Sequence, residues 1–148
     1  MMKLFTMILL SIFLGKGCSG QQKSDLINTK MVYTANSRGF YQKITIQNQQ
    51  ISISNNRSEE GPGVTIKISD DEWKSLVALF STIDLEKLST YEGPTKKRLY
   101  DGAAMANMTI TAKEKEYQST TFDHGTPPVE MADFINKVVS LAKKINDN

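Results

Sequence analysis

The stretch Phe40-Tyr41-Gln42-Lys43-Ile44-Thr45-Ile46-Gln47-Asn48-Gln49-Gln50-Ile51-Ser52-Ile53-Ser54 decides the fold. Ile44 and Ile46 alternate with Lys43, Thr45 and Gln47, and Ile51 and Ile53 repeat the pattern with Ser52 and Ser54 opposite. Successive strand residues point to opposite faces, so two runs in this register across Asn48-Gln49 predict an antiparallel hairpin with one buried face.

Upstream, the short β-branched and aromatic run at residues 31–35 ends at Asn36-Ser37-Arg38-Gly39, a turn sequence. Downstream, residues 55–63 form a polar Gly/Pro loop, and residues 64–68 alternate again as a strand. Ser69-Asp70-Asp71-Glu72 is then a capping box, with two acids suited to the positive helix start and Ile68 placed to staple onto Trp73. Trp73, Leu76, Val77 and Phe80 lay one apolar stripe along the helix that follows. A shorter helical turn is expected at residues 83–88, before a long loop at 89–103. A second hairpin runs from about Ala104 to Phe122, with Met108 and Ile110 on one face and its tip near Lys113-Glu114-Lys115. Thr126-Pro127-Pro128 starts the last helix, with Thr126 as cap. Met131, Phe134, Ile135, Val138, Leu141, Ala142 and Ile145 form its buried stripe. Hairpins rather than crossovers set the pairings. The expected class is α+β: a two-layer sandwich, with an antiparallel sheet of hairpins and two helices on one face.

The chain opens on Lys3, an apolar run at residues 4–14, and Gly15-Lys16-Gly17-Cys18. Eleven residues at about 1.5 Å each reach roughly 17 Å, too short for a hydrocarbon core of about 30 Å. The segment therefore reads as an export signal. Its end resembles the lipobox of bacterial lipoprotein precursors, in which Leu, two small residues and Cys are usual. Here Leu14 stands four residues before Cys18, and Lys16 takes a position that is normally small. Cys18 is the sole cysteine, so no internal disulfide explains it. The resemblance implies a signal peptide over 1–17, a diacylglyceryl and acyl (palmitate-type) anchor on Cys18 with a flexible tether over 18–29, and one globular domain over 30–148. Ser19 in the second mature position implies the outer membrane of the cell envelope. The alternative is an ordinary secretory signal cut near Gly17 or Gly20.

Removing residues 1–17 takes away Lys3 and Lys16, which brings 18 basic residues to 16, equal to the 16 acidic ones. A neutral domain gives no support to nucleic-acid binding. With Cys18 in the leader and His124 the sole imidazole, no Cys/His metal site assembles, and neither a metal nor another cofactor is expected. Gly61-Pro62-Gly63 lacks the spacing of a phosphate loop. The carboxylates Glu59, Glu60, Asp70, Asp71, Glu72, Asp84 and Glu86 supply a glycosidase pair only if two stand roughly 5 to 9.5 Å apart.

Asp123-His124 invites an acid/base reading, but neighbours on a strand face opposite ways, so Asp123 is badly placed to orient His124. A strand-to-helix turn, with Asp123 bonding local N–H groups, explains the pair more simply. The two ends of the second hairpin must lie side by side. The long loop with Lys97, Arg98, Tyr100 and Asp101 therefore meets Asp123 and His124, with Arg38 nearby, as a candidate binding surface. The simpler alternative is an Arg98–Asp123 pair that pins the loop.

A Gly39-Phe40 strand start, hairpin, capped helix, long loop, second hairpin and Pro-started helix is an order similar to that of emfourin-type inhibitors of metallopeptidases. The similarity covers roughly residues 38–143 in arrangement and carries over no inhibitory residue. Three functions follow as expectations. The first is a non-enzymatic envelope lipoprotein held to the membrane through Cys18, which binds an unknown envelope protein or ligand. The second is a peptidase inhibitor, and the third a small hydrolase using Asp101, Asp123 or His124. The anchor is testable directly: a palmitate analogue fed to cells is expected to label the wild-type chain and not Cys18→Ser. Unlabelled wild-type protein free in the periplasm would overturn it.

Overall fold

The computed structural model describes residues 26–58 and 63–148. The signal, Cys18, most of the tether and residues 59–62 of the Gly/Pro loop lie outside them. Strands β1 (Lys30–Ser37), β2 (Phe40–Gln47), β3 (Gln50–Ser54) and β4 (Val64–Lys67) form one half of an antiparallel sheet. Helix α1 (Asp70–Phe80), two short 3₁₀ turns (Leu85–Thr90 and Lys97–Tyr100), β5 (Met105–Ala112), β6 (Lys115–Gln118), β7 (Phe122–Asp123), a third 3₁₀ turn (Val129–Met131) and helix α2 (Ala132–Asn146) complete it. The sheet order is β4-β3-β2-β1-β5-β6, and β7 continues beside β5. The expected α+β class stands: seven antiparallel strands form one layer and the two helices the other.

The predicted register holds. Ile44 faces Ile53 and Ile46 faces Ile51, and all four are buried. Both long hairpins turn on two residues of positive φ, Asn48-Gln49 and Lys113-Glu114. That left-handed pair is what a two-residue turn needs to match strand twist, and it costs any residue with a Cβ about 1 kcal/mol or more. Gln49 offsets part of that cost, since its Nε2 donates to Ile68 O at 2.9 Å and Asp70 Oδ1 at 2.8 Å. The first hairpin is thereby tied to the start of α1.

One face of the sheet carries the core: Met31, Tyr33 and Ala35 of β1, the four isoleucines of β2 and β3, and Ala106, Met108 and Ile110 of β5. Trp73 and Leu76 of α1 and Phe134, Ile135, Val138, Leu141 and Ala142 of α2 cover it. Leu26 and Thr29, ahead of β1, are also buried. No helix among the described residues is long and apolar enough to cross a membrane.

Two caps differ from expectation. Ser69 Oγ accepts from Glu72 N at 3.4 Å, but the Glu72 carboxylate pairs with Lys137 and Lys144 of α2, not with the cap backbone. Two ammonium groups outcompete one N–H, and the capping box becomes half a box plus an interhelix clamp. Thr126 does not cap the last helix. Its N–H donates to Asp123 O at 2.9 Å, and the chain passes through a 3₁₀ turn capped at Pro128 before α2 begins. Pro127 precedes a proline, which disfavours the α region there, and Pro128 itself stands at φ −51° and ψ 139°, so the helix starts later than its sequence signal.

Trp73 is buried, and its Nε1 has no hydrogen-bond partner among the described residues. Trp73→Ala is expected to cost about 3 to 5 kcal/mol in a denaturant titration. Trp73→Phe should cost clearly less, because it also removes an unpaired buried donor. Ser69→Ala, which loses one long cap bond, should cost about 0.5 to 1 kcal/mol.

Candidate functional site

The site is built by a one-residue slip. Thr109 faces Gln118 where β5 pairs β6, but Ala106 faces Phe122 where it pairs β7, so three steps on β5 match four on the returning chain. The surplus is a β-bulge around residues 119–121. Ser119 repairs the ladder: its N–H donates to Met108 O at 2.9 Å and its Oγ accepts from Met108 N at 2.8 Å. Without the bulge, alternation from Tyr117 would send Asp123 toward the helices and Phe122 away. With it, Phe122 enters the core and Asp123 faces the opposite way.

There Asp123 meets the loop at residues 91–104, which closes over it until the carboxylate is fully buried. Oδ2 accepts from Thr95 Oγ1 at 2.5 Å and from Lys97 N at 2.7 Å. Oδ1 accepts from Arg98 N and from Arg98 Nη1, each at 3.0 Å. Burial alone pushes this carboxyl pKa up. The bonds from Thr95, from the Arg98 backbone and side chain, and from the Lys97 backbone outweigh it and hold the group well below the usual carboxylate range. The expectation that Asp123 would bond local backbone is corrected: its donors come from a loop 25 to 28 residues away.

The loop is rigid for further reasons. Gly102 N donates to Lys97 O at 2.8 Å, Leu99 N to Lys96 O at 3.1 Å, and Asp101 closes the 3₁₀ turn with a φ of 59°. Thr120 Oγ1 holds Tyr91 O at 2.5 Å. Gly93 passes so close to β7 that a Cβ there would stand 2.9 Å from Phe122 Cβ.

His124 takes the other face, with Phe122. The Tyr33 hydroxyl, whose pKa burial raises, shares a hydrogen bond of 2.7 Å with His124 Nδ1. Burial pushes the imidazole pKa down. The Phe40 ring lies 5.2 Å from it, centroid to centroid.

The predicted residues therefore separate into three groups. Lys97, Arg98 and Asp123 come together, with Arg98 and Asp123 forming the anticipated ion pair at 3.0 Å. His124 is nearby but serves Tyr33. Arg38, Tyr100 and Asp101 are exposed around that end of the sheet, Arg38 in the turn between β1 and β2. Sequence reasoning missed Thr95, Tyr33, Phe40 and Leu99. Leu99, an apolar residue inside a charged loop, was the one with a readable signal.

Glu59 and Glu60, weighed for sugar chemistry, lie outside the described residues, while Asp70, Glu72, Asp84 and Glu86 have structural work. Asp84 Oδ1 accepts from Glu86 N at 3.1 Å, and Glu86 pairs with Lys115 at 2.9 Å. Among the described residues no three His, Cys, Asp or Glu side chains gather to hold a metal ion. A cavity of about 600 Å³ lies at the opposite end of the sheet, lined by Val77, Phe80, Ile83, Leu85, Ala112 and Tyr117 among others. No protein-family model matches the chain, and comparison with curated proteins finds no relative.

The Asp123 hub makes a pH prediction. Its folded pKa is depressed, so its stabilisation is complete above the unfolded value of about 3.9 and is lost as pH falls below that. Asp123→Asn is expected to destabilise by about 3 kcal/mol at pH 7, since Arg98 keeps a half-buried charge without its partner. Denaturant midpoints of wild type should fall more steeply than those of the variant between pH 4 and pH 2. Parallel slopes would remove Asp123 from that role.

Proposed function

We propose that this chain is an envelope lipoprotein whose non-enzymatic domain binds another protein through the loop at residues 94–102. One observation carries the reading. A fully buried carboxylate with four donors fixes a loop whose Leu99 and Tyr100 are 68% and 72% exposed. Ordering a loop costs about 1 to 2 kcal/mol per residue, and fixing apolar side chains in water returns nothing until a partner covers them. Phe40 and Met105, also exposed, add apolar surface at the same end of the sheet. A rigid aromatic and aliphatic pair beside Lys96, Lys97 and Asp101 matches the usual make-up of an interface centre with a polar rim.

The layout fits an anchored domain. β1 starts at Lys30, opposite Thr111 near the tip of the β5–β6 hairpin, and runs eight residues to the loop end. At about 3.3 Å per residue the binding end stands roughly 26 Å from the start of β1, facing away from a membrane that holds Cys18.

The stiffness of the same loop favours a second reading, a peptidase inhibitor, since inhibitors present a preorganised segment to a cleft. Hydrolysis by Asp101, Asp123 and His124 gains no support from the geometry: Asp123 is saturated by donors, and His124 is turned to Tyr33.

Leu99→Ala combined with Tyr100→Ala should leave the denaturant midpoint within about 0.5 kcal/mol of wild type, because both side chains are exposed. The same variant should lose the proteins captured by crosslinking in intact cells. Unchanged capture would sink the loop as the binding surface. Inhibition of a metallopeptidase that disappears in the double variant would select the inhibitor reading.

A further inference from the structure

The two outer edges of the sheet are treated differently. At one edge, β6 begins with the charged pair Lys115 and Glu116 and is approached by Leu85–Thr90, with Lys115 Nζ and Tyr117 OH both on Glu86. Such an edge is blunted against pairing. At the other edge, all four residues of β4 are exposed, including Val64 at 55% and Ile66 at 43%. These two side chains lie opposite Ile53 and Ile51, on the helix side of the sheet. Ile66 also forms one wall of a cavity of about 180 Å³, with Ile51, Ile68, Leu141 and Ile145.

The ladder fixes which backbone groups face outward. Ile68 N donates to Gln49 O at 2.8 Å, and the same register places Ile66 opposite Ile51 and Val64 opposite Ile53. Hydrogen-bonded pairs recur every second residue, so Val64 and Ile66 spend their N–H and C=O on β3. Gly63, Thr65 and Lys67 turn theirs outward, where no strand among the described residues pairs them.

We infer that β4 pairs with β4 of a second copy of this chain, antiparallel about a two-fold axis at Thr65. This register uses every outward group: Thr65 faces Thr65, and Gly63 faces Lys67 of the other copy, in three hydrogen-bonded pairs. Val64 of each copy then lies directly opposite Ile66 of the other in a non-hydrogen-bonded pair, where side chains approach most closely. Sliding by two residues loses one pair and separates Val64 from Ile66. Charge agrees with the register, since Lys67 meets a glycine and not another lysine. The whole chain, with 18 basic and 16 acidic residues, adds little repulsion between copies.

The contact is isologous, so it closes at two copies and joins their sheets into one. A strand of four residues buries less than the roughly 800 Å² per partner of a standard interface. Association is therefore weak in dilute solution and strong where copies are concentrated, as on a shared surface. It leaves the loop at residues 94–102 untouched and stands apart from the reading given to that loop.

The test is a disulfide across the axis. Directly facing hydrogen-bonded residues have Cα atoms about 5.5 Å apart, within disulfide range. Thr65→Cys in the full chain, oxidised in cell membranes, is expected to give a disulfide-linked pair of copies in clear excess over wild type. Gln118→Cys on the β6 edge should not. Adding Ile66→Lys to Thr65→Cys should lower the yield at least tenfold while the denaturant midpoint holds. Wild-type chain purified without a crosslink should show mass rising with concentration in sedimentation, and Ile66→Lys should not. Thr65→Cys no more linked than wild type, or linked to a different protein, would overturn the pairing with a second copy, as would a wild-type mass independent of concentration.

Discussion

The structure depends on β1. It is paired over seven positions with β2 on one side and seven with β5 on the other, while its face toward the helices is Met31, Tyr33 and Ala35. A one-residue slip on either side would send Ile44 and Ile46, or Met108 and Ile110, into water and bring their polar neighbours into the core. Both halves of the sheet are thus registered to a single strand. The two helices then cover whatever that register presents, Trp73 and Leu76 from one and Phe134, Ile135 and Val138 from the other.

The bulge at residues 119–121 is the one departure from this regularity, and the candidate site follows from it. It turns Phe122 into the core, where its ring stands 6.3 Å from that of Tyr33, and it delivers Asp123 to the loop on the far side. A single inserted residue thereby joins core packing to loop order. Because Asp123 binds both backbone and side-chain donors of the loop, and His124 binds Tyr33 of β1, the turn at 122–124 ties the loop to the central strand. Leu99 and Tyr100 gain their fixed positions from a carboxylate they never touch.

The long periodic elements are legible in the sequence alone. Alternation of Ile44, Ile46, Ile51 and Ile53 placed a hairpin, and the stripes from Trp73 and from Met131 placed two helices, because one-sided burial leaves a periodic trace. The local signals were less faithful where distant partners intervened. Glu72 turned to Lys137 and Lys144, and Thr126 joined Asp123 instead of capping. The proximity of Arg98, Lys97 and Asp123 was also legible, since the mouth of a hairpin must bring its flanks together. Thr95, Tyr33 and Phe40 were not, because each reaches the site from another element through a side chain that looks ordinary in its own segment.

The sequence by itself determined the class of fold, the faces of the strands in the first hairpin, the start of α1 and the meeting of the long loop with residues 123–124. Each depends on neighbours within a few positions or on the two-residue period of a strand. Only the tertiary structure decided which way Asp123 and His124 point, that the carboxylate is wholly buried, and that Leu99 and Tyr100 are held out in solvent. A bulge has no periodic signature: one extra residue in a polar run of Ser119, Thr120 and Thr121 exchanges the two faces of everything after it. Its position is settled by which register buries Phe122 against Tyr33 and gives Asp123 its donors, and that choice is made by contacts across the whole sheet.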